Sequence, residues 1–274
     1  MKELKIAVLG EEKSYSHIAA IQWANSRGID VECMFVSEIA DVFEEVVQGV
    51  DIGVVPIENS VDGYIQYHMD LLRQHELQIF QELAVPISFD YVSQTKFPRE
   101  IIMQYAVKGQ CRQFLRMNPL PVTLVRSNTE AANLYGQRHN VAAIVPKHLV
   151  ENLAKQVHIS NIADQETNST RFVLIAKEEL VKPKSCKDIK AMFVLTPKED
   201  YPGLLYGLLE TFAKEKMNLI SIMSRPIGTG IGRFRFFFEL VAPAMRQTEL
   251  HALLTKLQPS FQIDILGVYP FESQ

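Results

Sequence analysis

The stretch Val54-Val55-Pro56-Ile57-Glu58-Asn59-Ser60 decides the fold of this chain, because an apolar run ends abruptly in a carboxylate, an amide and a hydroxyl. This pattern is typical of a buried strand whose carboxyl end opens onto a cleft. A second stretch, Asn168-Ser169-Thr170-Arg171-Phe172, has the opposite order, since its polar residues lead into the apolar run 172–176. We expect the two polar edges to meet across a cleft and to hold a small anion there.

Short apolar runs alternate with amphipathic stretches from residue 5 to about residue 176, which is typical of an α/β architecture. The predicted strands are 5–9, 31–36, 51–57, 78–93, 103–107, 122–125, 141–145 and 172–176. The predicted helices are 16–27, 37–48, 63–73, 109–117, 129–137 and 147–153.

A charged segment with one proline, 177–188, follows and is typical of an interdomain linker. Beyond it the pattern predicts a βαββαβ order, the ferredoxin-like plan. Alternation of Phe234, Phe236 and Phe238 places these rings in the core beneath the helices. The predicted elements are strands 191–195, 219–223, 234–241 and 263–268 and helices 204–214 and 248–257.

Composition narrows the class of function. The 28 basic and 32 acidic residues give a net charge of −4, which disfavours nucleic acid and anionic membranes as partners. The three cysteines, Cys33, Cys111 and Cys186, lie far apart, as in a protein of a reducing cytosol. Because the sequence has no signal-peptide core and no apolar stretch near the roughly 20 residues of a membrane helix, we expect a soluble cytoplasmic protein.

Several motifs in the same order resemble one enzyme family. Residues 55–63, followed by Asp70-Leu71-Leu72, and residues 168–172 resemble the two signature regions of prephenate dehydratase. Residues 14–17 and 127–132 resemble further motifs of that family. The C-terminal pattern resembles the ACT regulatory domain that such enzymes carry, so the resemblance covers nearly the whole chain.

This resemblance implies a fold and a reaction. The fold is a bilobed, periplasmic-binding-protein-like catalytic domain over residues 1–180, with the site in the cleft between the lobes, and an ACT domain over 188–274. The reaction is that of a lyase: prephenate loses water and carbon dioxide to give phenylpyruvate, in L-phenylalanine biosynthesis. Prephenate is then the substrate and L-phenylalanine the expected effector. No metal or organic cofactor is required, and paired ACT domains imply a homodimer or homotetramer.

Loss of the ring hydroxyl requires a proton donor or strong hydrogen-bond donor at that oxygen. The resemblance assigns the main catalytic role to Thr170, whose hydroxyl offers one donor and two acceptor lone pairs. The alternative is an ordinary strand-edge threonine, since β-branched residues are common in strands.

The carboxylates of the substrate require cationic or amide donors. Arg171 offers a planar fork for a carboxylate, or pairs with Glu58. Asn59 and Ser60 donate to substrate oxygens or cap the helix that follows, and Glu58 orients a neighbour or is protonated by burial. The predicted substrate-binding residues are Asn59, Ser60, Glu58, Arg171, Phe172, Asn168, Ser14, Ser16 and Gln110.

Two stretches depart from the family pattern. The loop 10–16 lacks the usual proline and second glycine, and it carries Glu11 and Glu12 where a dianion approaches. Residues 103–105, Met-Gln-Tyr, occupy the place of a Ser-His-Pro motif. The first departure predicts an altered geometry of this loop. The second predicts slower turnover, or it reflects only a shifted alignment with the family pattern.

The C-terminal motifs 202–205 and 218–226 resemble the Gly-Ala-Leu and Glu-Ser-Arg-Pro motifs through which ACT domains of this family bind phenylalanine. Leu204 replaces the alanine and Met223 replaces the glutamate, so we expect weakened or altered inhibition. Alternatively, both side chains pack in a core or dimer face. The predicted effector-binding residues are Gly203, Leu204, Leu205, Asn218, Leu219, Met223, Ser224, Arg225 and Pro226.

Two rival functions stay open at this point. Arogenate dehydratase differs in accepting an amine where prephenate has a ketone, and no residue of the sequence decides between the two substrates. A noncatalytic amino-acid sensor that retains the fold is favoured by the altered loop 11–13 and opposed by the intact Thr170-Arg171-Phe172.

Overall fold

The computed structural model describes residues 3–165, 167–177, 186–228 and 232–271. The strands are β1 (Leu4–Leu9), β2 (Val31–Val36), β3 (Ile52–Asn59), β4 (Gly63–Tyr64), β5 (Gln78–Pro86), β6 (Phe89–Ser93), β7 (Ile101–Gln104), β8 (Val122–Val125), β9 (Ala142–Pro146), β10 (Val157–Ile159), β11 (Ser169–Ala176), β12 (Asp188–Pro197), β13 (Asn218–Pro226), β14 (Phe234–Pro243) and β15 (Phe261–Phe271). The helices are α1 (Tyr15–Arg27), α2 (Ile39–Gln48), α3 (Gln66–Gln74), α4 (Val107–Gln110), α5 (Arg112–Met117), α6 (Asn128–Gln137), α7 (Leu204–Lys214) and α8 (Gln247–Leu257), with 3₁₀ turns at Lys147–Asn152 and Ala244–Arg246.

The first lobe is a mixed sheet with strand order β2-β1-β3-β11-β5, to which β4 adds beside β3. Helix α1 covers one face of this sheet, and α2 and α3 cover the other. Helix α2 lies there because Ile39, Val42, Phe43 and Val46 form one apolar stripe at helical spacing. The central strands β1, β3 and β11 are therefore buried on both faces along their apolar runs, as these sequences predict.

The second lobe is a sheet with strand order β10-β6-β9-β7-β8, packed between α4 and α5 on one face and α6 on the other. The chain enters this lobe after β5 and returns to the first lobe at β11. The predicted single strand 78–93 is therefore wrong, since β5 and β6 belong to different sheets. Apolar periodicity continues through both strands and does not show where a chain changes sheets.

Smaller differences from prediction have local causes. The predicted strand 103–107 is shorter in the structure, since β7 ends at Gln104. Val107 begins α4 instead, and its apolar side chain is buried in the core that this short helix covers. Strand β10 was not predicted, since only three residues form it and one is a histidine. The predicted helix 63–73 begins with the two-residue strand β4. The predicted helix 147–153 is a 3₁₀ turn.

Strands β12 to β15 form a third, antiparallel sheet with strand order β13-β14-β12-β15. Helices α7 and α8 cover one face, and the predicted βαββαβ order is confirmed. Phe238 stacks with Phe193 and Phe212 beneath these helices. Phe234 is instead 43% exposed at the start of β14, so its predicted core position is wrong. Residues 178–185 of the predicted linker lie outside the described residues.

The other face of this C-terminal sheet packs on the first lobe. Met192, Val194 and Phe237 share one core with Val173 and Ile175 of β11. The backbones approach so closely that a Cβ atom on Gly267 of β15 would lie 2.3 Å from the carbonyl oxygen of Ile79 in β5. Strand β11 of the first lobe therefore has α1 on one side and the C-terminal sheet on the other.

Candidate active site

The two polar edges are neighbouring strands of one sheet. Strands β3 and β11 pair antiparallel, with Thr170 opposite Asn59 and Arg171 opposite Glu58. The expectation that these edges meet across a cleft is wrong, because the chain builds the second lobe and then returns directly beside β3. The polar residues therefore form one continuous edge at the end of the first sheet.

Thr170 and Arg171 lie on opposite faces of this sheet. Side chains alternate along a strand, and Phe172 packs beneath α1 whereas Val173 packs against the C-terminal sheet. Thr170 consequently shares the α1 face, and Arg171 points toward the C-terminal sheet. The ring of Phe172, expected to contact substrate, is only 1% exposed and belongs to the core.

An amide relay leads from Thr170 into the second lobe. Asn59 Nδ2 donates to Thr170 Oγ1 at 3.1 Å and to Asn168 Oδ1 at 2.9 Å. Asn168 Nδ2 donates to Gln110 Oε1 at 2.8 Å, and Gln110 Nε2 donates to Asp62 Oδ2 at 2.7 Å. Gln110 is the last residue of α4, so the relay joins the two lobes. Since Thr170 Oγ1 accepts a hydrogen bond here, the threonine proton is directed elsewhere.

Asn59 also shapes the loop that follows β3. Its Oδ1 accepts hydrogen bonds from the backbone N–H groups of Val61 at 2.9 Å and Asp62 at 3.2 Å. Helix α3 begins after Ile65, which makes no side-chain cap. The predicted capping of this helix by Asn59 or Ser60 is therefore wrong, because the amide oxygen closes a turn instead.

Ser60 extends the pairing of β3 with β11 beyond the last strand residue. Its backbone N–H donates to the Ser169 carbonyl at 2.9 Å, and its Oγ accepts from the Ser169 N–H at 3.0 Å. The Ser60 hydroxyl donates to the Thr167 carbonyl at 3.4 Å. The serine thus fixes the register of the polar edge.

The first turn of α1 reaches the second lobe. Ser14 caps the helix by accepting from the His17 N–H at 3.2 Å, and Ser16 is buried. The Tyr15 hydroxyl donates to the Ser88 carbonyl at 3.0 Å, and burial raises the pKa of this tyrosine, which stays a neutral donor. We did not single out Tyr15 from the sequence, although it is the aromatic residue between the two serines.

Two histidines hold the loop that departs from the family pattern. Lys13 N–H donates to His17 Nδ1 at 2.9 Å, and His148 Nε2 contacts the Lys13 carbonyl at 2.8 Å. Burial lowers the pKa of both histidines. Neutral imidazoles suit these contacts, because His17 accepts and His148 donates. The loop is therefore anchored to both lobes without the missing proline.

A cavity of about 310 Å³ opens between the lobes beside the amide relay. Asp62, Gln110 and Asn168 line it together with Arg112 and Asp164. Both oxygens of Asp164 accept from the first N–H groups of α5, at 2.9 and 3.0 Å. Arg112 is the cationic side chain among the described residues that line the cavity. Asp62 lies in a signature region and Arg112 follows Gln110-Cys111, yet neither was predicted as a site residue.

The opposite face of the polar edge is occupied by ion pairs. Arg171 Nε donates to Glu58 at 3.0 Å, Nη1 donates to Glu82 at 3.1 Å, and both Nη atoms donate to Glu239 at 2.8 and 2.6 Å. Burial lowers the pKa of Arg171, but the bonds and charges of Glu239 and Glu82 outweigh burial and raise the pKa overall. The sequence left two roles open for Arg171, binding a carboxylate of the substrate or pairing with Glu58. In the structure, its guanidinium pairs with Glu58. A larger cavity, of about 550 Å³, opens on this side.

The predicted effector residues lie on α7 and on the edge strand β13. Gly203 caps α7 with φ +90°, and Leu204, the first residue of that helix, is buried in the core of the C-terminal domain. Leu205 is partly buried there. Met223 packs toward the first lobe, and Arg225 pairs with Asp70 of α3. The other predicted effector residues on β13 alternate between exposed and half-buried positions, namely Asn218, Leu219, Ser224 and Pro226.

Comparisons with known proteins agree with this geometry. A prephenate dehydratase from Methanocaldococcus jannaschii is 31% identical over 262 residues, which cover 94% of this chain and 94% of that protein. A bifunctional chorismate mutase/prephenate dehydratase from Aquifex aeolicus is 30% identical over 275 residues, covering 98% of this chain and 74% of that protein. The crystal structure of an Arthrobacter aurescens prephenate dehydratase in complex with L-Phe has the same fold, with a TM-score of 0.81 at 23% identity, covering 98% of this chain and 90% of that one.

A family model agrees with these relatives and covers more than half of the chain. The model described as prephenate dehydratase matches residues 6–180, a range that includes both strands of the polar edge and the whole amide relay. This chain therefore belongs to the prephenate dehydratase family.

Proposed function

We propose that this protein converts prephenate to phenylpyruvate, water and carbon dioxide, and that the reaction occurs between the two lobes. The observation that carries the proposal is the amide relay, which supplies Thr170 Oγ1 with a hydrogen bond from Asn59 and ends at Asp62. In the reaction, the electron pair of the broken bond to the lost carboxylate enters the ring. The C–O bond to the ring then breaks, the oxygen leaves with that bonding pair as hydroxide, and a proton from solvent converts it to water.

Thr170 acts on the leaving hydroxyl in this proposal. Its Oγ1 accepts from Asn59 at 3.1 Å, so its own O–H bond points away from that amide. Among residues 3–165, 167–177, 186–228 and 232–271, no hydrogen bond takes the Thr170 proton. A hydrogen bond from this hydroxyl stabilises the departing oxygen as negative charge develops on it.

Arg112 and the amides of the polar edge hold the carboxylates of the substrate. Arg112 supplies a cation at the interlobe cavity, whose volume of about 310 Å³ suits a small molecule. Asn168 and Gln110 line the same cavity. The N-terminus of α1, which begins after Ser14 and has Ser16 in its first turn, adds to the favourable potential for an anion. Arg171 is instead assigned to the support of β11, because three carboxylates already occupy it.

The decisive experiment incubates the purified full-length chain with prephenate and, in parallel, with arogenate. We expect phenylpyruvate from prephenate, measured by chromatography against a sample without protein. Formation of phenylalanine from arogenate with a much higher kcat/KM would make arogenate the substrate. Absence of both products, together with saturable binding of L-phenylalanine in calorimetry, would support the noncatalytic sensor.

The C-terminal domain, residues 188–274 beside a catalytic domain of 1–180, is proposed to be an ACT domain that responds to L-phenylalanine. Leu204 of α7 is buried in the core of this domain, and Met223 packs toward the first lobe. The two substituted side chains therefore fill space and supply no charge for an amino group. A ligand shifts an equilibrium only by its differential affinity for the two states. These substitutions therefore weaken the response.

Titration of L-phenylalanine during prephenate turnover measures this response. We expect incomplete or weak inhibition at low micromolar L-phenylalanine, because the contacts that Leu204 and Met223 replace are absent. The double variant Leu204→Ala, Met223→Glu should increase sensitivity at least about tenfold if the two sites determine affinity. D-phenylalanine serves as the control ligand. Full inhibition of the natural chain at low micromolar L-phenylalanine would contradict the prediction.

The cellular location and the oligomeric state of the protein are also part of the proposal. Within the described part of the chain, every helix is too short or too polar to cross a bilayer. All three cysteines are free, which agrees with a reducing compartment, and we assign the protein to the cytoplasm. A homodimer or homotetramer is expected from the pairing of ACT domains, and light scattering of the purified chain determines which one forms.

A further inference from the structure

A buried group of charges joins the catalytic lobe to the C-terminal sheet, and we call it the Arg171 cluster. Arg171 of β11 lies at its centre. Glu239 of β14 reaches it from the C-terminal sheet and takes both of its terminal nitrogens, at 2.8 and 2.6 Å. The cluster consists of Arg171, Glu58, Glu82, Lys190, Glu239, Tyr64 and Tyr269.

Solvent is excluded from the part of the cluster that faces the C-terminal sheet. Glu239 is 3% exposed and Lys190 is 5% exposed. Two cations face three carboxylates, so the cluster carries a net charge of −1. A buried carboxylate of this kind is stable only while its partners stay in place, because an unpaired charge in the interior is costly.

Two tyrosines add hydrogen bonds to the carboxylates of the cluster. The Tyr64 hydroxyl donates to Glu239 at 2.9 Å, and the Tyr269 hydroxyl donates to Glu82 at 3.1 Å. Burial raises the pKa of both tyrosines, and the neighbouring carboxylates raise it further. Both phenols therefore stay protonated donors, and the cluster is a fully connected network rather than a loose set of charges.

The Arg171 cluster lies next to the proposed catalytic hydroxyl in the chain. Arg171 directly follows Thr170 on β11, so one peptide unit separates their Cα atoms. Resting on the proposed function, we propose that Glu239 is a positioning residue that acts through Arg171 to hold Thr170 in its productive place. The C-terminal sheet thereby sets the geometry of the active site.

Other ion pairs at the same interface lack this connection. Arg225 of β13 pairs with Asp70 of α3, and Arg73 of α3 lies 3.7 Å from Asp264 of β15. Neither pair touches β11. The bidentate contact of Glu239 with Arg171 is directional, since two parallel N–H···O bonds fix both distance and plane. A ligand that displaces the C-terminal sheet would therefore change the placement of Thr170 through this contact.

The test measures prephenate turnover by Glu239→Gln in the full-length chain, with Asp264→Asn as the matched control at the same interface. We expect kcat of Glu239→Gln to fall between about tenfold and 10²-fold, because small misplacements of a catalytic group have effects of this size, while KM changes little. Asp264→Asn should keep the natural kcat. Thermal unfolding of each variant verifies that the folded chain is assayed.

A double-mutant cycle with Arg171→Lys identifies the route. If Glu239 acts through Arg171, the kcat losses of Glu239→Gln and Arg171→Lys are strongly non-additive. Additive losses, an unchanged kcat in folded Glu239→Gln, or an equal loss in Asp264→Asn would overturn the inference.

If Glu239→Gln does not fold, Tyr64→Phe replaces it, since it removes one hydrogen bond to Glu239 and one to Arg171. An inactive natural chain removes the proposed function and the inference together, whereas an active one with unaffected variants removes the inference alone.

Discussion

Replacement of Thr170 by alanine should reduce kcat for prephenate by about 10²- to 10⁴-fold, with little change in KM. The hydroxyl is the group proposed to stabilise the departing oxygen, and loss of one such donor or proton-transfer group has effects of this order. Asn59 keeps its bond to Asn168 at 2.9 Å in the variant, so the rest of the relay stays in place. Steady-state kinetics on the purified chain measure both constants.

Two matched variants separate the hydroxyl from the shape of the side chain. Thr170→Ser keeps the hydroxyl and should stay within about tenfold of the natural kcat. Thr170→Val keeps the shape without the hydroxyl and should be as slow as the alanine variant. Because Thr170 is only half-buried, all three variants should unfold near the temperature of the natural chain. A folded alanine variant with natural kcat would remove Thr170 from the mechanism.

Replacement of Arg171 by methionine should be the most destabilising of the changes considered. It leaves Glu58, Glu82 and Glu239 without their shared cation, and Glu239 is only 3% exposed. Breaking a buried ion pair by removing one partner costs about 3–5 kcal/mol. For a chain of this size, we expect the unfolding temperature to fall by on the order of 10 °C, measured by calorimetry.

The control for this experiment is Arg73→Met. Arg73 lies 3.7 Å from Asp264, and both side chains are about one quarter exposed, at 24% and 26%. Partly exposed pairs contribute about 0–1 kcal/mol, so this variant should unfold close to the natural chain. Arg171→Lys should lie between the two, because lysine keeps the charge but not the planar fork. Equal stability of Arg171→Met and Arg73→Met would contradict the structural importance of the Arg171 cluster.

Local sequence patterns determined much of the fold. Alternating apolar runs and amphipathic stretches predicted the α/β architecture, and the C-terminal βαββαβ order followed from six segments of strand or helix periodicity. The same patterns failed between Gln78 and Ser93, where only two residues separate β5 from β6. Periodicity reports burial of each residue and does not report which sheet buries it.

Some residues of the candidate site could be predicted from the sequence, and others could not. The family motifs pointed to Asn59, Asn168, Thr170 and Gln110, and the structure joins these four residues in one relay across the lobes. Asp62 joins this relay because of a turn that Asn59 closes, and no spacing of residues in the sequence predicts that turn. Arg112 was missed because an arginine on a short helix is usually a solvated residue.

Sequence by itself determined that a polar edge with Thr170 and Arg171 begins strand β11, because the change from polar to apolar side chains is a local property of the chain. Only the tertiary structure decided which groups the side chains of Thr170 and Arg171 contact. Alternation along a strand sends neighbours to opposite faces, but the partner of each face is chosen by packing between distant segments. Thr170 thus faces the side of α1, while Arg171 meets Glu239, 68 residues further along the chain.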